Sequence, residues 1–300
     1  MMAGLARARA FILEQPTFRT TLILSIVLIG LGRFGSQTPP LLHAVLLAAC
    51  ALMIFVRGVR ESPLAWSLLT IFLAGLVSLQ WELIDNHKWL LLWWSLACAV
   101  ALTRPDPSAV LARSARLLIG LAFGFATLWK LLADEYLDGS FFYFTFLTRK
   151  LFVPFITAVT DMDPALLAEN ARLLTDLHLL PTVGGSITLH GHPTVRILAL
   201  ISSYWTILIE GSIALAFLAP RGWRIARIRE ALLLIFIGTT YLLTPVERFA
   251  LALTVLGFTQ TAPDRPRLRL LWLGLFIGLQ FINFIPGVWW GVVGTIARAI

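Results

Sequence analysis

Nine apolar runs of about ten to twenty-four residues follow one another along the chain, with few charged side chains inside them. They lie at about 20–31, 41–56, 64–83, 89–102, 117–132, 195–218, 231–243, 249–258 and 270–284. A chain in lipid must satisfy its backbone polar groups internally, so only helices and closed barrels can cross. These runs are too long and too evenly apolar for strands that alternate inward and outward. They predict an all-α, polytopic transmembrane helical bundle of about nine spans, in a single domain over 1–300. Composition agrees: 58% of residues are hydrophobic and 13% charged, with a mean hydropathy of +0.84, against about 25% charged in soluble domains.

The net charge of +8 is carried by arginines in short loops, a pattern that belongs to membrane orientation and excludes nucleic acid as the expected partner. Arg7, Arg9 and Arg19 precede the first run, and no A-x-A site follows it, so an uncleaved first span with a cytoplasmic N-terminus is expected. The loops near 57–61, 104–116, 221–229 and 265–269 then face the cytoplasm, and each is arginine-rich. Those near 33–40, 82–88 and 245–248 face outside, as does the C-terminus. The plasma (inner) membrane, with lipid as the surrounding partner, is the implied location. Trp81, Trp89, Trp289 and Trp290 are expected at the outer interface, and Trp66, Trp223 and Trp272 at the inner one. Pro105 and Pro107 should break any helix in the loop they occupy. Gly120-x-x-x-Gly124 and Gly274-x-x-x-Gly278 permit close helix contacts. Cys50 and Cys98 sit inside apolar runs, away from CxxC spacing, as small buried hydrophobes.

Between the fifth and sixth runs, residues 133–193 form an external section. The aromatic stretch 141–155 is interrupted by Arg149 and Lys150, which suits an interfacial or re-entrant segment. Asp163-Pro164 reads as an N-cap followed by proline at the first helical position, and Pro181 closes that helix. Leu166, Leu173, Leu177 and Leu180 share one face, predicting an amphipathic helix over the outer mouth. The turn-rich stretch after it contains an ITL that could form a short strand.

Charged side chains at membrane depth cost a few kcal/mol or more each. Lys130 follows Trp129 near the end of the fifth run. Either it snorkels to the headgroups or it is a desolvated amine usable as a base. Glu210 lies inside the sixth run, with Tyr204 and Trp205 before it, and Lys130 is its natural partner. That pair could equally tie helices together. Asn86 and His87 stand on the same expected side as Lys130, in a turn where a histidine is commonly just a hydrogen-bonded loop residue. His190-x-His192, with His178, is too sparse in carboxylates and thiols to predict a metal.

Asn86-His87-Lys88-Trp89-Leu90 resembles the N-H-x-[YF]-L element of the HTTM (horizontally transferred transmembrane) family, which includes the vitamin K-dependent γ-glutamyl carboxylase. Lys130-Leu131, followed by acidic residues, an aromatic and Gly139, is similar to the carboxylase element K-L-D-A-D-W-x-x-G with one residue more. Glu210-Gly211 resembles an acidic position in the corresponding helix. The resemblance implies a membrane domain whose external-side site uses a lysine base on a vitamin K-type quinol. Lys130 and His87 would be catalytic, and Asn86, Glu210, Tyr204 and Trp129 would line a ligand or quinone pocket. The family often carries a histidine in the helix before the eighth span; FIGTTYLLTPVERF has none, though Thr240 and Tyr241 offer hydroxyls. Some smaller members resemble maturation factors, so quinol-linked modification or maturation of a secreted peptide is the implied function. The residues alone leave two other classes open: a non-enzymatic transporter, and a structural or partner-stabilising membrane subunit.

Overall fold

The computed structural model describes residues 17–32, 38–79, 81–82, 85–179, 188–220, 222–243 and 247–281. Expectations for Arg7, Arg9, Pro181, Arg221, Trp289 and Trp290 lie outside them, as do those for the side chains of Leu177, His178, Leu180 and Tyr241 and for the start of the ITL segment. Among the described residues the fold is all helical, with no strand. In chain order the helices are α1 (Thr17–Leu31), α2 (Pro40–Phe55), α3 (Pro63–Ser78), α4 (Asn86–Leu102), α5 (Pro107–Leu132), α6 (Ser140–Thr148), α7 (Val153–Val159), α8 (Pro164–Leu179), α9 (Pro193–Leu218), α10 (Arg229–Leu243), α11 (Glu247–Gln260) and α12 (Pro266–Phe281).

Proline opens six of these helices, at the position where its missing N–H costs nothing and its fixed φ is already helical. Four starts also gain a side-chain cap, one of them from His192 Nδ1, which accepts the Thr194 N–H at 3.2 Å at the head of α9. Ser62 Oγ accepts from the Ala65 N–H at 3.4 Å, Asp106 Oδ1 from Ala109 at 3.0 Å, and Asp163 Oδ1 from Ala165 at 2.8 Å. Pro107 therefore starts a helix where a break was expected. α5 runs through Arg113 and Arg116, and the loop placed at 104–116 shrinks to its first few residues. Arg116 turns back to donate from Nε to the Phe217 carbonyl and from Nη2 to Ala219, closing the end of α9 with a cation.

Each of the nine apolar runs is helical through most of its described length. Among the described residues, two helices are long and apolar enough to cross a membrane: α5 and α9, of 26 residues each. The pair Ser140–Thr148 and Lys150–Val159, bent by 81°, adds a third crossing if it is one broken span. This agrees with an interrupted, re-entrant aromatic segment, and the exposed Arg149 and Lys150 sit at the bend. The remaining apolar runs are helical over 14 to 17 described residues each; α2, α3 and α4, whose ends are both described, are about 24–26 Å long against a hydrocarbon core of about 30 Å. The third falls short of its expected end, since α3 stops at Ser78 and Trp81 and Glu82 lie in a turn.

The described chain forms two compact units. In the first (Met1–Ala122, Phe217–Pro220 and Val246–Gln280), hydroxyls and indoles join the helices. Trp94 Nε1 donates to Ser25 Oγ at 2.8 Å, linking α4 to α1. Thr21 and Thr259 hydroxyls meet at 3.1 Å between α1 and α11, and those of Thr70 and Ser95 at 2.9 Å between α3 and α4. In lipid such bonds help hold helices together because no aqueous hydrophobic force does so. Trp66 and Trp272 are both fully buried here. They are packing residues and not the inner interfacial belt expected of them, and Trp272 Nε1 donates to Thr261 Oγ1 at 3.1 Å. Of the two small-residue motifs, Gly120-x-x-x-Gly124 is used: a Cβ at Gly120 would lie 2.7 Å from Leu218. A Cβ at Gly274 or Gly278 would meet nothing within 4 Å.

In the second unit (Phe123–Ala216, Arg221–Pro245 and Phe281–Ile300), the aromatic segment and α8 pack on the first turns of α9. Phe146, Leu147, Phe152, Ile156, Met162, Leu167, Val195 and Ala199 form one buried cluster. The face of α8 that packs carries Leu167 and the fully buried Asn170, while Leu166 is exposed, so the buried stripe is displaced from the leucine face expected. Asn170 makes two hydrogen bonds to the backbone of His190, at 2.9 and 2.8 Å, pinning that loop to the helix.

Candidate functional site

Lys130 stands in the last turn of α5, where an ammonium opposes the negative end of the helix dipole. Glu210 lies two-thirds of the way along α9, and both belong to the second unit. The Lys130 ammonium donates to Glu210 Oε2 at 2.7 Å, with side-chain exposures of 13% and 9%. Lys130 is thus partnered and turned inward. Snorkelling, one of its two expected behaviours, does not describe it.

Beyond α5 the chain extends at Ala133, makes the single turn Asp134–Leu137, and reverses at Gly139. Gly139 has φ +77°, the one positive φ among the described residues, and a Cβ there would lie 3.0 Å from Leu200. Glycine is demanded twice, by the left-handed backbone and by the close approach of α9. Asp138 Oδ1 accepts the Ser140 N–H at 2.8 Å, and hydrogen bonds from Ser140 hold its carboxyl below the usual range. This reversal brings the Tyr136 ring to 5.4 Å from Lys130 Nζ, in cation–π geometry. The same ring stacks on Phe141 at 4.3 Å. Burial, then the negative charges of Glu210 and Glu135, push the Tyr136 phenol up to about 12, so it stays protonated at neutral pH.

Tyr136 was not among the expected site residues, although its place as the aromatic of the Lys130–Gly139 element marked it. Two residues that were expected behave otherwise. Trp129 is 72% exposed. Tyr204 is also exposed, and its hydroxyl donates to the Leu137 carbonyl at 3.2 Å, holding the turn and not facing a ligand.

Asn86 and His87 open α4 and belong to the first unit. Asn86 is exposed and His87 buried. Ahead of the apolar run 89–102, burial pulls the His87 pKa down to about 4; Asp85 opposes this shift, while Lys88 and Arg248 assist it. The ring is therefore neutral at physiological pH. Lys88, expected to mark an external loop, is itself buried and pairs with Asp85 at 3.2 Å. The i,i+3 spacing of Asp85 and Lys88 was the available signal.

Among the described residues no group of three His, Cys, Asp or Glu could hold a metal. His190 Nε2 lies 3.3 Å from Glu169 Oε2, and His192 Nδ1 accepts the Thr194 N–H at 3.2 Å. Cys50 and Cys98 are buried and unpaired. An open hollow of about 580 Å³ between the end of α7 and the start of α9 is lined by Thr157, Thr160, Asp161, His192 and Thr194, and does not include Lys130 or Glu210. No protein-family model, no curated protein and no solved structure matches the chain.

Proposed function

We propose that the chain is a polytopic protein of the plasma (inner) membrane with about nine spans, and that its Lys130–Glu210 pair is the reactive element of an HTTM-like site. The proposed activity is quinol-linked modification or maturation of a secreted peptide. The carrying observation is the 2.7 Å contact between two side chains that are each about nine-tenths buried on helices able to cross a membrane. Continuous lipid-facing stripes support the membrane reading: Leu117, Leu121, Phe125, Leu128 and Leu132 on α5, and Ile197, Ile201, Tyr204, Leu208 and Leu215 on α9, are all exposed.

The arrangement constrains how Lys130 could act. An ammonium cannot be a base, so the pair must first rearrange: an Nζ–H bond breaks, an O–H bond forms on Glu210 Oε2, and both groups become neutral. The amine lone pair can then take a proton from an acidic hydroxyl brought to it, becoming an ammonium that holds the resulting anion. The Tyr136 ring beside the amine, stacked in turn on Phe141, gives the site an aromatic wall. A vitamin K-type quinol there would supply the reducing electrons.

A second reading is favoured by the same contact. A fully formed ion pair joining two long helices is what a structural subunit or a transporter would need. Paired variants of the full-length protein in vesicles separate the two. Lys130→Met should abolish quinol-dependent peptide modification, and Lys130→Met/Glu210→Leu should regain the fold but no activity. If the double variant retains activity, the pair is structural and the catalytic reading fails.

A further inference from the structure

A basic corner of the first unit has no part in the Lys130 site. α2 ends at Phe55, one turn (Arg57–Arg60) follows, and α3 begins at Pro63. Glu61 Oε1 accepts from Arg19 Nε and from Arg57 Nε, each at 3.0 Å. Both nitrogens contact a single oxygen, so they lie no more than about 6 Å apart. One carboxylate oxygen thus serves two guanidiniums, whose Nη groups have no partner among the described residues. Arg60 adds a third cation next in sequence. Its Nη1 caps the end of α2 through the Ile54 carbonyl at 2.8 Å, and its buried Nε has no partner among the described residues. Among the described residues, three arginines stand against one glutamate at this corner, an excess of positive charge suited to an added anion.

The corner is also strongly apolar at its edge. Phe55 is 85% exposed and Leu64 66%, immediately before and after the charged turn. Fork-shaped guanidiniums suit phosphate oxygens, and bare apolar side chains beside them suit acyl chains. A soluble phosphate would use the first feature and leave the second in water.

We infer that Arg19, Arg57 and Arg60, with Phe55 and Leu64, form a binding site for one anionic phospholipid, held by its phosphate, with Glu61 as a competing internal anion. The site depends on the chain lying in a membrane and not on the chemistry of Lys130. Its test is native mass spectrometry of the full-length protein in detergent, with phosphatidylglycerol or phosphatidylcholine of identical chains, and with inorganic phosphate as competitor. One phosphatidylglycerol should be retained in clear preference to phosphatidylcholine. Arg57→Gln should lower that preference about fivefold, the effect of one basic residue at an anionic lipid surface. Arg224→Gln, on an exposed turn of the other unit, should leave it unchanged. Glu61→Gln should raise it, since the guanidiniums lose their internal anion; this variant decides the matter if Arg57→Gln does not fold. Equal retention of the two lipids, equal effects of the two arginine variants, a loss of preference in Glu61→Gln, or displacement of the lipid by millimolar phosphate would each overturn the assignment.

Discussion

At the scale of single residues, the ion pair and the buried histidine make separable predictions. Removing one member of a buried pair strands the other's charge, at about 3–5 kcal/mol, whereas replacing both with apolar residues of similar volume is near neutral. Lys130→Met and Glu210→Leu should each destabilise strongly, and the double variant should recover most of the loss in a denaturation series. Additive losses would mean that the two side chains do not depend on each other. For His87 the sign follows from a folded pKa, about 4, below the ordinary 6.5. The unfolded chain then binds the extra proton, so stability is full above pH 6.5 and declines as pH falls towards 4. The loss should reach about 3 kcal/mol, and His87→Gln should flatten that part of the profile. Legibility at this scale followed charge. A lysine and a glutamate inside apolar runs announced each other because neither is tolerable alone. The exposure of Trp129 and Tyr204 was not legible, because an aromatic in a membrane helix can face lipid or a pocket, and nothing in its neighbours says which way it turns.

Elements were legible at Asp163-Pro164, which opens α8, but Pro107, expected to break a helix, opens α5, and legibility was lower still where packing decides. The stripe of α8 was read one residue away from its true place: Leu166 is exposed while Leu167 and Asn170 are buried. A leucine-rich helix offers more than one apolar face, and only the tertiary partner chooses. Glycines show the same division. Gly139 can be recognised from its place after the acidic turn, but the roles of Gly257 and Gly274 differ for reasons outside their own helices. A Cβ at Gly257 would lie 2.9 Å from the Trp272 indole, a rigid ring that is fully buried and cannot yield. Gly257→Ala should therefore cost about 1–3 kcal/mol. Gly274→Ala meets open space and should be neutral or slightly stabilising through helix propensity. Thermal unfolding of the two variants side by side checks this, and equal behaviour would argue against the α11–α12 contact.

For the whole molecule, the open matter is how many helices cross. The nine proposed crossings meet short helices: α2, α3 and α4 hold only 16 or 17 residues each. At about 1.5 Å per residue they fall several ångströms short of a typical hydrocarbon core. Local thinning and snorkelling can absorb such a mismatch at fractions of a kcal/mol per ångström, so length alone does not forbid crossing. Two loops decide between the readings. Gly58 lies in the turn between α2 and α3, with nothing within 4 Å of a Cβ, and Glu82 is exposed between α3 and α4. If every apolar helix crosses, α3 separates these positions. A cysteine replacing Glu82 in otherwise cysteine-free protein should then react with an impermeant maleimide added outside intact cells, while one replacing Gly58 should react only after permeabilisation. If only α5, α9 and the bent aromatic pair cross, α3 lies within one face of the membrane and both positions label from the same side. That outcome would remove the nine-span topology and, with it, the external placement proposed for the Lys130 site.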